Sequence, residues 1–160
     1  MLEAAVKYWQ TRLAGWQMPA WGFPLLLLIL CFASYGLLIP FLGFYWDDFP
    51  LSWIGEAYGT AGLERYFSTN RPFWGWLFRL TVPVLGSQQP MAWQVFGLFW
   101  RWLSAVLLWK LLQRAWPRQV HLAAWAALLY VVFPPFRQQP VALVYTHFFI
   151  VFSLFLCSQI

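Results

Sequence analysis

Charged residues are scarce in this chain of 160 residues. They make up 9% of it, and only five of them are acids. A soluble domain carries about 25% charged residues, and a disordered chain combines high charge with few apolar residues. The shortage therefore excludes both classes. What is present instead is apolar: 62% of the residues are hydrophobic, 22% are aromatic and 13 are tryptophan. This composition indicates an integral membrane protein with aromatic side chains at the interface.

Cysteine is also rare. Cys31 and Cys157 lie in apolar stretches, without a Cys-x-x-Cys pair or a cluster with histidine. That spacing gives no support for a zinc or redox site, so both are interpreted as buried free thiols. The ten basic residues give a net charge of +5, but they lie beside apolar runs and form no continuous face. We assign them to membrane topology and lipid headgroups, and expect no nucleic-acid partner.

Apolar runs divide the chain. Residues 1–19 show apolar positions at helical spacing, which predicts an amphipathic helix lying in the membrane interface. Four later runs approach the ~20 residues that cross a bilayer, and we expect transmembrane helices near 24–45, 91–112, 119–134 and 141–160. The sequence thus predicts an all-α membrane protein, with residues 20–160 as one transmembrane module.

The one substantial loop is expected over residues 46–90, which hold four of the five acids. Two short helices are predicted in it. The first is capped by Asp48 and closed by Gly59, and the second begins near Pro72 and runs to Pro83 or Gly86. Because both are too short to span a bilayer, we expect them to be juxtamembrane helices lying on its surface.

Basic residues predict the orientation. They are denser at the amino terminus and in the 110–118 turn than in the 46–90 loop and the 136–140 turn. By the positive-inside rule both termini are expected in the cytoplasm and the acidic loop outside.

Asp47 and Asp48 are the sharpest candidates for chemistry. Ionisable groups beside hydrocarbon are costly, so an adjacent pair at the end of a span suggests a function. One carboxylate could act as general base for an acceptor hydroxyl, while the other orients it or holds a divalent cation. The alternative is that Asp48 only caps a helix and Asp47 is solvated.

Four other polar residues are candidate substrate-binding groups. Arg71 begins the second loop helix and suits a phosphate, with lipid phosphate as the alternative partner. Arg101 lies inside a span, where it either snorkels outward or binds an anionic ligand in a cavity. Gln138, beside Gln139, could bind sugar hydroxyls or be solvated. His147 could take part in chemistry, but a polar contact inside the bundle is the commoner role.

Four short segments follow one another in a suggestive order. Tyr-Trp-Asp-Asp-Phe at 45–49 ends the first span, and Asn-Arg-Pro-Phe-Trp-Gly-Trp-Leu occupies 70–77. Phe-Trp-Arg-Trp-Leu-Ser at 99–104 and Phe-Pro-Pro-Phe at 133–136 come next. This order, across residues 20–160, resembles the amino-terminal part of the GT-C membrane glycosyltransferases. The nearest likeness is to the bacterial group that uses polyprenyl-phosphate sugars and is related to the protein mannosyltransferases.

The resemblance implies an activity. GT-C enzymes transfer a sugar from a lipid-phosphate donor to a glycan, lipid or protein acceptor on the non-cytoplasmic side of the membrane. Their catalytic or metal-binding carboxylate would fall on Asp47 or Asp48, and a divalent cation is the cofactor it could hold. Their arginine near the next span would fall on Arg101, and the Pro-rich start of their second loop helix on Arg71-Pro72; both arginines would stabilise the departing lipid phosphate. The resemblance also implies the bacterial cytoplasmic membrane as the location.

GT-C enzymes have many more spans than four. The resemblance therefore implies a carboxy-terminal half or a partner subunit that completes the site. Two other hypotheses compete with transfer. The chain could be a small non-catalytic membrane scaffold, or a subunit that binds or transports a lipid-linked glycan.

Overall fold

A computed structural model describes residues 19–133 and 140–160, and each regular element in those ranges is helical. The predicted all-α fold is thereby confirmed. The α-helices are α1 (Gly22–Cys31), α2 (Asp48–Phe67), α3 (Pro72–Leu85), α4 (Pro90–Ala115), α5 (Val120–Val132) and α6 (Ala142–Ser158). Residues 1–18, which carry nearly all of the predicted interfacial helix, and the candidate Gln138 lie outside the described residues.

The first apolar run is helical but irregular. After α1 the backbone widens into a π-helix at Phe32–Gly36 and tightens into a 3-10 helix at Ile39–Phe41. Pro40 lacks the N–H that an α-helix would bond back to Gly36, so regular α geometry cannot continue through this point. The expected helix over 24–45 therefore ends early, at Phe41.

Two segments are long and apolar enough to cross a membrane: Gly22–Phe41, with 20 residues, and Pro90–Ala115, with 26. The other two predicted spans are shorter in the structure. α5 has 13 residues and α6 has 17. At a rise of about 1.5 Å per residue they measure about 20 Å and about 25 Å, against a hydrocarbon core of about 30 Å. Two of the four expected crossings are thus supported, and the other two stay predictions.

The loop contains the two predicted helices with one change. α3 begins at Pro72 as expected and ends where Gly86 takes a φ of 79°. α2 does not end at Gly59, so that predicted boundary is wrong. Gly59 instead interrupts the helix with φ 62° and ψ −163°, and α2 resumes and runs to Phe67. A positive φ is cheap only for glycine, so the kink falls where the sequence permits it.

Two clusters of buried apolar side chains hold the helices together. The loop cluster joins α2 and α3 to the beginnings of α4 and α6, through Leu51, Leu63, Phe67, Phe78, Trp93 and residues 141–144. The bundle cluster joins α1 and the turns after it to α4 and α5, through Leu27, Cys31, Ile39, Leu98, Ala105, Val106, Ala127 and Val131. Cys31 is buried as predicted, whereas Cys157 is exposed, so its predicted burial is wrong. α4 takes part in both clusters and links the two regions.

Two side chains at the beginning of α4 bond to the backbone of the neighbouring helices α3 and α6 near their ends. The indole N–H of Trp93 donates to the carbonyl of Gly86 at 2.7 Å, just after α3. The amide of Gln94 donates to the carbonyl of Pro140 at 2.7 Å, just before α6. The end of α3, the beginning of α4 and the beginning of α6 therefore lie together at one end of the molecule, which we call the loop end.

Candidate functional site

The two adjacent aspartates lie at the beginning of α2, where the chain turns sharply. Trp46 has a φ of 48°, the one positive φ of a non-glycine residue in the described ranges. Asp47 precedes the helix and is exposed, while Asp48 is its first residue and is 0% exposed. Neighbouring residues at a helix start point in different directions. The pair is therefore split between solvent and the interior.

Asp48 binds the first turn of α6. One carboxylate oxygen accepts the backbone N–H of Leu143 at 3.1 Å, and the other accepts the N–H of Val144 at 3.0 Å. Such N–H groups have no partner within their own helix, and the helix dipole favours a negative charge beside them. The prediction that Asp48 caps its own helix is wrong: it caps α6, and α2 has no side-chain cap.

The surroundings of Asp48 also change its acidity. Burial raises the pKa of the Asp48 carboxyl to about 7, against the opposing effect of the α6 N–H bonds, and the nearby Asp47 adds to the rise. Near neutral pH both protonation states of Asp48 are therefore populated.

Asp47 opens into a pocket that it shares with Arg71. The pocket has a volume of about 210 Å³ and lies between the two ends of α2, the turn that leads into α3 and the first turn of α6. Its polar lining comes from Asp47, Asn70 and Arg71, and its other lining residues are Pro50, Leu51, Tyr66, Phe67 and Val144. The structure thus brings together two residues that the sequence analysis selected separately, a carboxylate and a guanidinium.

The Arg71 side chain is supported by aromatic rings. Its guanidinium carbon lies 5.4 Å from the centre of the Trp74 ring and 5.9 Å from that of Phe148. Contacts of this kind attract a cation to the ring face. They come from α3 and α6, so Arg71 is held at the junction of these helices while its other side faces the pocket.

Arg101 lies elsewhere. It is 1% exposed, its guanidinium carbon is 3.6 Å from the centre of the Tyr35 ring, and it donates to the carbonyl of Val131 at 3.4 Å. Phe149 lies on another side, at 5.5 Å. Arg101 therefore does not snorkel, and it does not line the pocket that contains Asp47 and Arg71.

His147 is part of the core. It is 0% exposed, its Nδ1 lies 3.0 Å from the carbonyl oxygen of Leu143, and its Nε2 lies 3.4 Å from Oγ1 of Thr81. The ring also packs 4.1 Å from that of Phe78. These contacts agree with the alternative of a polar contact inside the bundle, because they tie α6 to α3 and leave the imidazole out of the pocket.

The residues present do not fit a firmly held divalent cation. Within residues 19–133 and 140–160 there is no group of three or more His, Cys, Asp or Glu side chains that could hold a metal ion. Both oxygens of Asp48 are engaged by N–H groups in a buried position. Only the Asp47 carboxylate and the amide of Asn70 are then left at the pocket, so a cation there would complete its oxygen shell with water and substrate phosphate and not with a second aspartate. The paired-aspartate metal site is thus not supported.

Some residues of the pocket could not be predicted from the sequence. Asn70 is adjacent to Arg71, and that adjacency was a usable signal. Val144 is an apolar residue inside an apolar run, and nothing in the local pattern marks its backbone N–H as a partner for a carboxylate 96 residues away. A helix start can be expected near Pro140, but the element that packs on it cannot be read from the chain.

No protein family, curated protein or solved structure matches the chain. The resemblance to the GT-C enzymes therefore rests on the four short sequence segments alone and stays a prediction.

Proposed function

We propose that the chain is the catalytic-loop part of a GT-C-type membrane glycosyltransferase, which transfers a sugar from a polyprenyl-phosphate donor to an acceptor. The observation that carries this proposal is the shared pocket of Asp47 and Arg71. One residue comes from the end of the first apolar run and the other from the start of α3. A carboxylate and a guanidinium that line the same pocket provide both a base and a phosphate-binding group.

In the proposed reaction Asp47 is the general base. It takes the proton from an acceptor hydroxyl or amine as that atom forms its bond to the anomeric carbon of the sugar. The bond from that carbon to the phosphate oxygen breaks, and the electron pair leaves with the lipid phosphate. Arg71 stabilises the charge that grows on this phosphate. The amide of Asn70, in the same lining, is placed to orient a hydroxyl group.

Membrane placement is the second part of the proposal. In it all four apolar runs cross the bacterial cytoplasmic membrane, both termini are cytoplasmic, and the loop end faces outside. The two helices with sufficient length and hydropathy support a membrane location. α2 and α3 also expose aromatic side chains of the kind found at membrane interfaces: Trp53, Tyr58, Tyr66, Phe73 and Trp76. We therefore propose that both lie on the bilayer surface.

Arg101 and His147 have no direct part in the proposed reaction, since both are engaged inside the bundle. The proposed ligands are a lipid-phosphate sugar and a glycan, lipid or protein acceptor. The pocket is small for both together, because ligand sites usually measure about 300–1,000 Å³. This supports a further carboxy-terminal half or a partner subunit that supplies the remaining walls.

The test uses the full chain in lipid nanodiscs, with a polyprenyl-phosphate hexose as donor. Wild-type protein is expected to bind the lipid phosphate, and Arg71→Gln to weaken that binding by tenfold or more. Where transfer is measured, Asp47→Asn is expected to slow it by about 100-fold or more. Glu64→Gln is the control, because Glu64 is a partly exposed acid of α2 that does not line the pocket.

Two results would count against the proposal. Equal lipid-phosphate binding by wild type and Arg71→Gln would remove the pocket from recognition. Binding without transfer, in the presence of whatever subunit completes the site, would favour the non-catalytic scaffold or glycan-binding alternative.

A further inference from the structure

We propose that Asp48 is the positioning residue of the pocket: its buried carboxylate ties the start of α2 to the first turn of α6 and so sets Asp47 opposite Arg71. The idea depends on the proposed function for its importance, because a pocket without a ligand needs no positioning. The tie itself is visible in the contacts alone.

The contact lies directly behind the pocket. Asp47, one wall, is the residue before Asp48 in the chain. Val144, another wall, donates its N–H to a carboxylate oxygen of Asp48. Two of the surfaces that a ligand would touch are therefore joined through one side chain. Asp48 is 0% exposed and does not line the pocket, so it acts through its neighbours.

A carboxylate suits this task better than other groups. Leu143 and Val144 are consecutive and each gives one N–H to a different oxygen. Two directional bonds fix both the distance and the rotation of the side chain. An asparagine has one acceptor oxygen and would keep at most one good bond, and a leucine would keep neither.

Stability alone does not explain a charge at this position. Removing a carboxylate from water carries a large penalty, so the net contribution of its two bonds to Leu143 and Val144 to stability is small. Asp48 is surrounded by the loop cluster, to which the neighbouring Leu51, Leu143 and Val144 belong. Since an apolar side chain could fill this space, the carboxylate is better explained by the geometry that it imposes.

The test measures geometry without any substrate. Cysteines are introduced by Asp47→Cys and Arg71→Cys, with Cys157→Ser to remove the exposed native thiol. The rate at which a short thiol cross-linker joins positions 47 and 71 is measured in nanodiscs. Asp48→Leu is expected to slow cross-linking at least fivefold, and Asp48→Asn to give an intermediate rate. Ser52→Ala is the matched control, because Ser52 is buried one turn along α2 and its hydroxyl, which the substitution removes, donates locally to the carbonyl of Phe49.

A second readout is amide exchange at Leu143 and Val144. Protection of both is expected to fall about tenfold or more in Asp48→Leu, with a lower thermal midpoint because two buried N–H groups lose their acceptor. Unchanged cross-linking and protection in a folded Asp48→Leu protein would overturn the proposal. If that variant does not fold, Asp48→Asn decides in the same way. Because no ligand is present, failure here is distinct from failure of the glycosyl-transfer proposal, which shows only in the binding and activity of the Arg71 and Asp47 variants.

Discussion

Two buried charges, one in each region of the molecule, are accommodated in different ways. At the loop end, Asp48 accepts two N–H bonds at the beginning of α6. In the bundle, Arg101 donates to the carbonyl of Val131, in the last turn of α5. Each sign agrees with the helix dipole, which favours anions at N-termini and cations at C-termini. The two groups thus lie at opposite helix ends, on either side of the segment that joins α5 to α6.

The two sets of contacts differ in direction. Asp48 is held by two hydrogen bonds that specify an orientation, whereas Arg101 also lies against the face of the Tyr35 ring, a broad and weakly directional surface. We infer that a change at Asp48 mainly alters geometry, while a change at Arg101 mainly alters stability. The predictions below test that contrast.

The largest effect is expected from Arg101→Glu. It places a buried carboxylate at the carbonyl end of α5 and loses the contact with Tyr35, which should lower the free energy of unfolding by about 3–5 kcal/mol. Thermal unfolding in detergent micelles measures this. Arg118→Glu, in an exposed turn, is the control and should change little. If Arg101→Glu lowers the free energy of unfolding only slightly, the bundle tolerates a charge of either sign there, and the contrast with Asp48 fails.

Gly75→Ala tests how tightly the loop region is packed. A Cβ at this position would lie 2.8 Å from Cα of Glu64, so α2 and α3 would have to separate. Overpacking of this kind costs about 1–3 kcal/mol, measured as a lower thermal midpoint. Gly43→Ala, whose Cβ would meet nothing within 4 Å, should be nearly neutral. Equal stability of the two variants would mean that the helices of the loop region move apart freely.

The pH dependence of the free energy of unfolding reports the ionisation of the Asp48 carboxyl. Its pKa is raised from 3.8 to about 7 in the folded protein, so the folded state holds the proton more strongly than the unfolded state. Stability from this group is present at low pH and is lost as pH rises through about 7. Relative to Asp48→Asn, wild type should lose about 1–2 kcal/mol between about pH 5 and about pH 7.

Ser52→Ala is the control for that measurement, since it changes a buried residue of α2 without removing an ionisable group and should retain the wild-type slope. A wild-type curve parallel to that of Asp48→Asn would mean that the N–H bonds hold the pKa of Asp48 near its ordinary value. The contrast between Asp48 and Arg101 would then be sharper, because the hydrogen bonds to Asp48 would outweigh the effect of its burial.

The smallest effect is expected at the exposed ion pair of the loop region. Arg79 and Glu64 approach to 4.0 Å, with side chains 65% and 49% exposed. Exposed pairs contribute about 0–1 kcal/mol, so Arg79→Gln should shift the thermal midpoint by a degree or two at most, and high salt should remove the difference. A large loss would show that surface charge, and not only packing, holds α3 on α2.

Local sequence patterns predicted the positions of the helices better than they predicted which helices pack together. Pro72 and Gly86 marked the ends of α3 because proline suits a first helical turn and glycine accepts a positive φ after the last. Gly59 was predicted to end a helix, and it does interrupt the helical geometry of α2. The result is a kink and not an end, since Leu63 and Phe67 beyond it are buried in the loop cluster. Tertiary packing thus decided what the local residue left open.

The candidate site shows the same division. The sequence marked Asp47 and Arg71 as polar residues at the edges of apolar runs, and the pocket contains both. It could not separate the roles of the two aspartates, because that difference depends on which one faces α6. Arg101 was left between two alternatives, and burial against Tyr35 is decided by the packing of α1 and the turns after it on α4, not by its neighbours in the chain.

The bonds made by Asp48 also impose an order in time. Its partners lie 95 and 96 residues later in the chain. Ribosomes add about 5–20 residues per second, so at least roughly 5–20 s separate the synthesis of the carboxylate from that of the amides it binds. Through that interval α2 and α3 can pack together, since they are adjacent in the chain, while the Asp48 carboxylate stays hydrated. Closure of the loop end therefore waits for α6, the last described helix to be made.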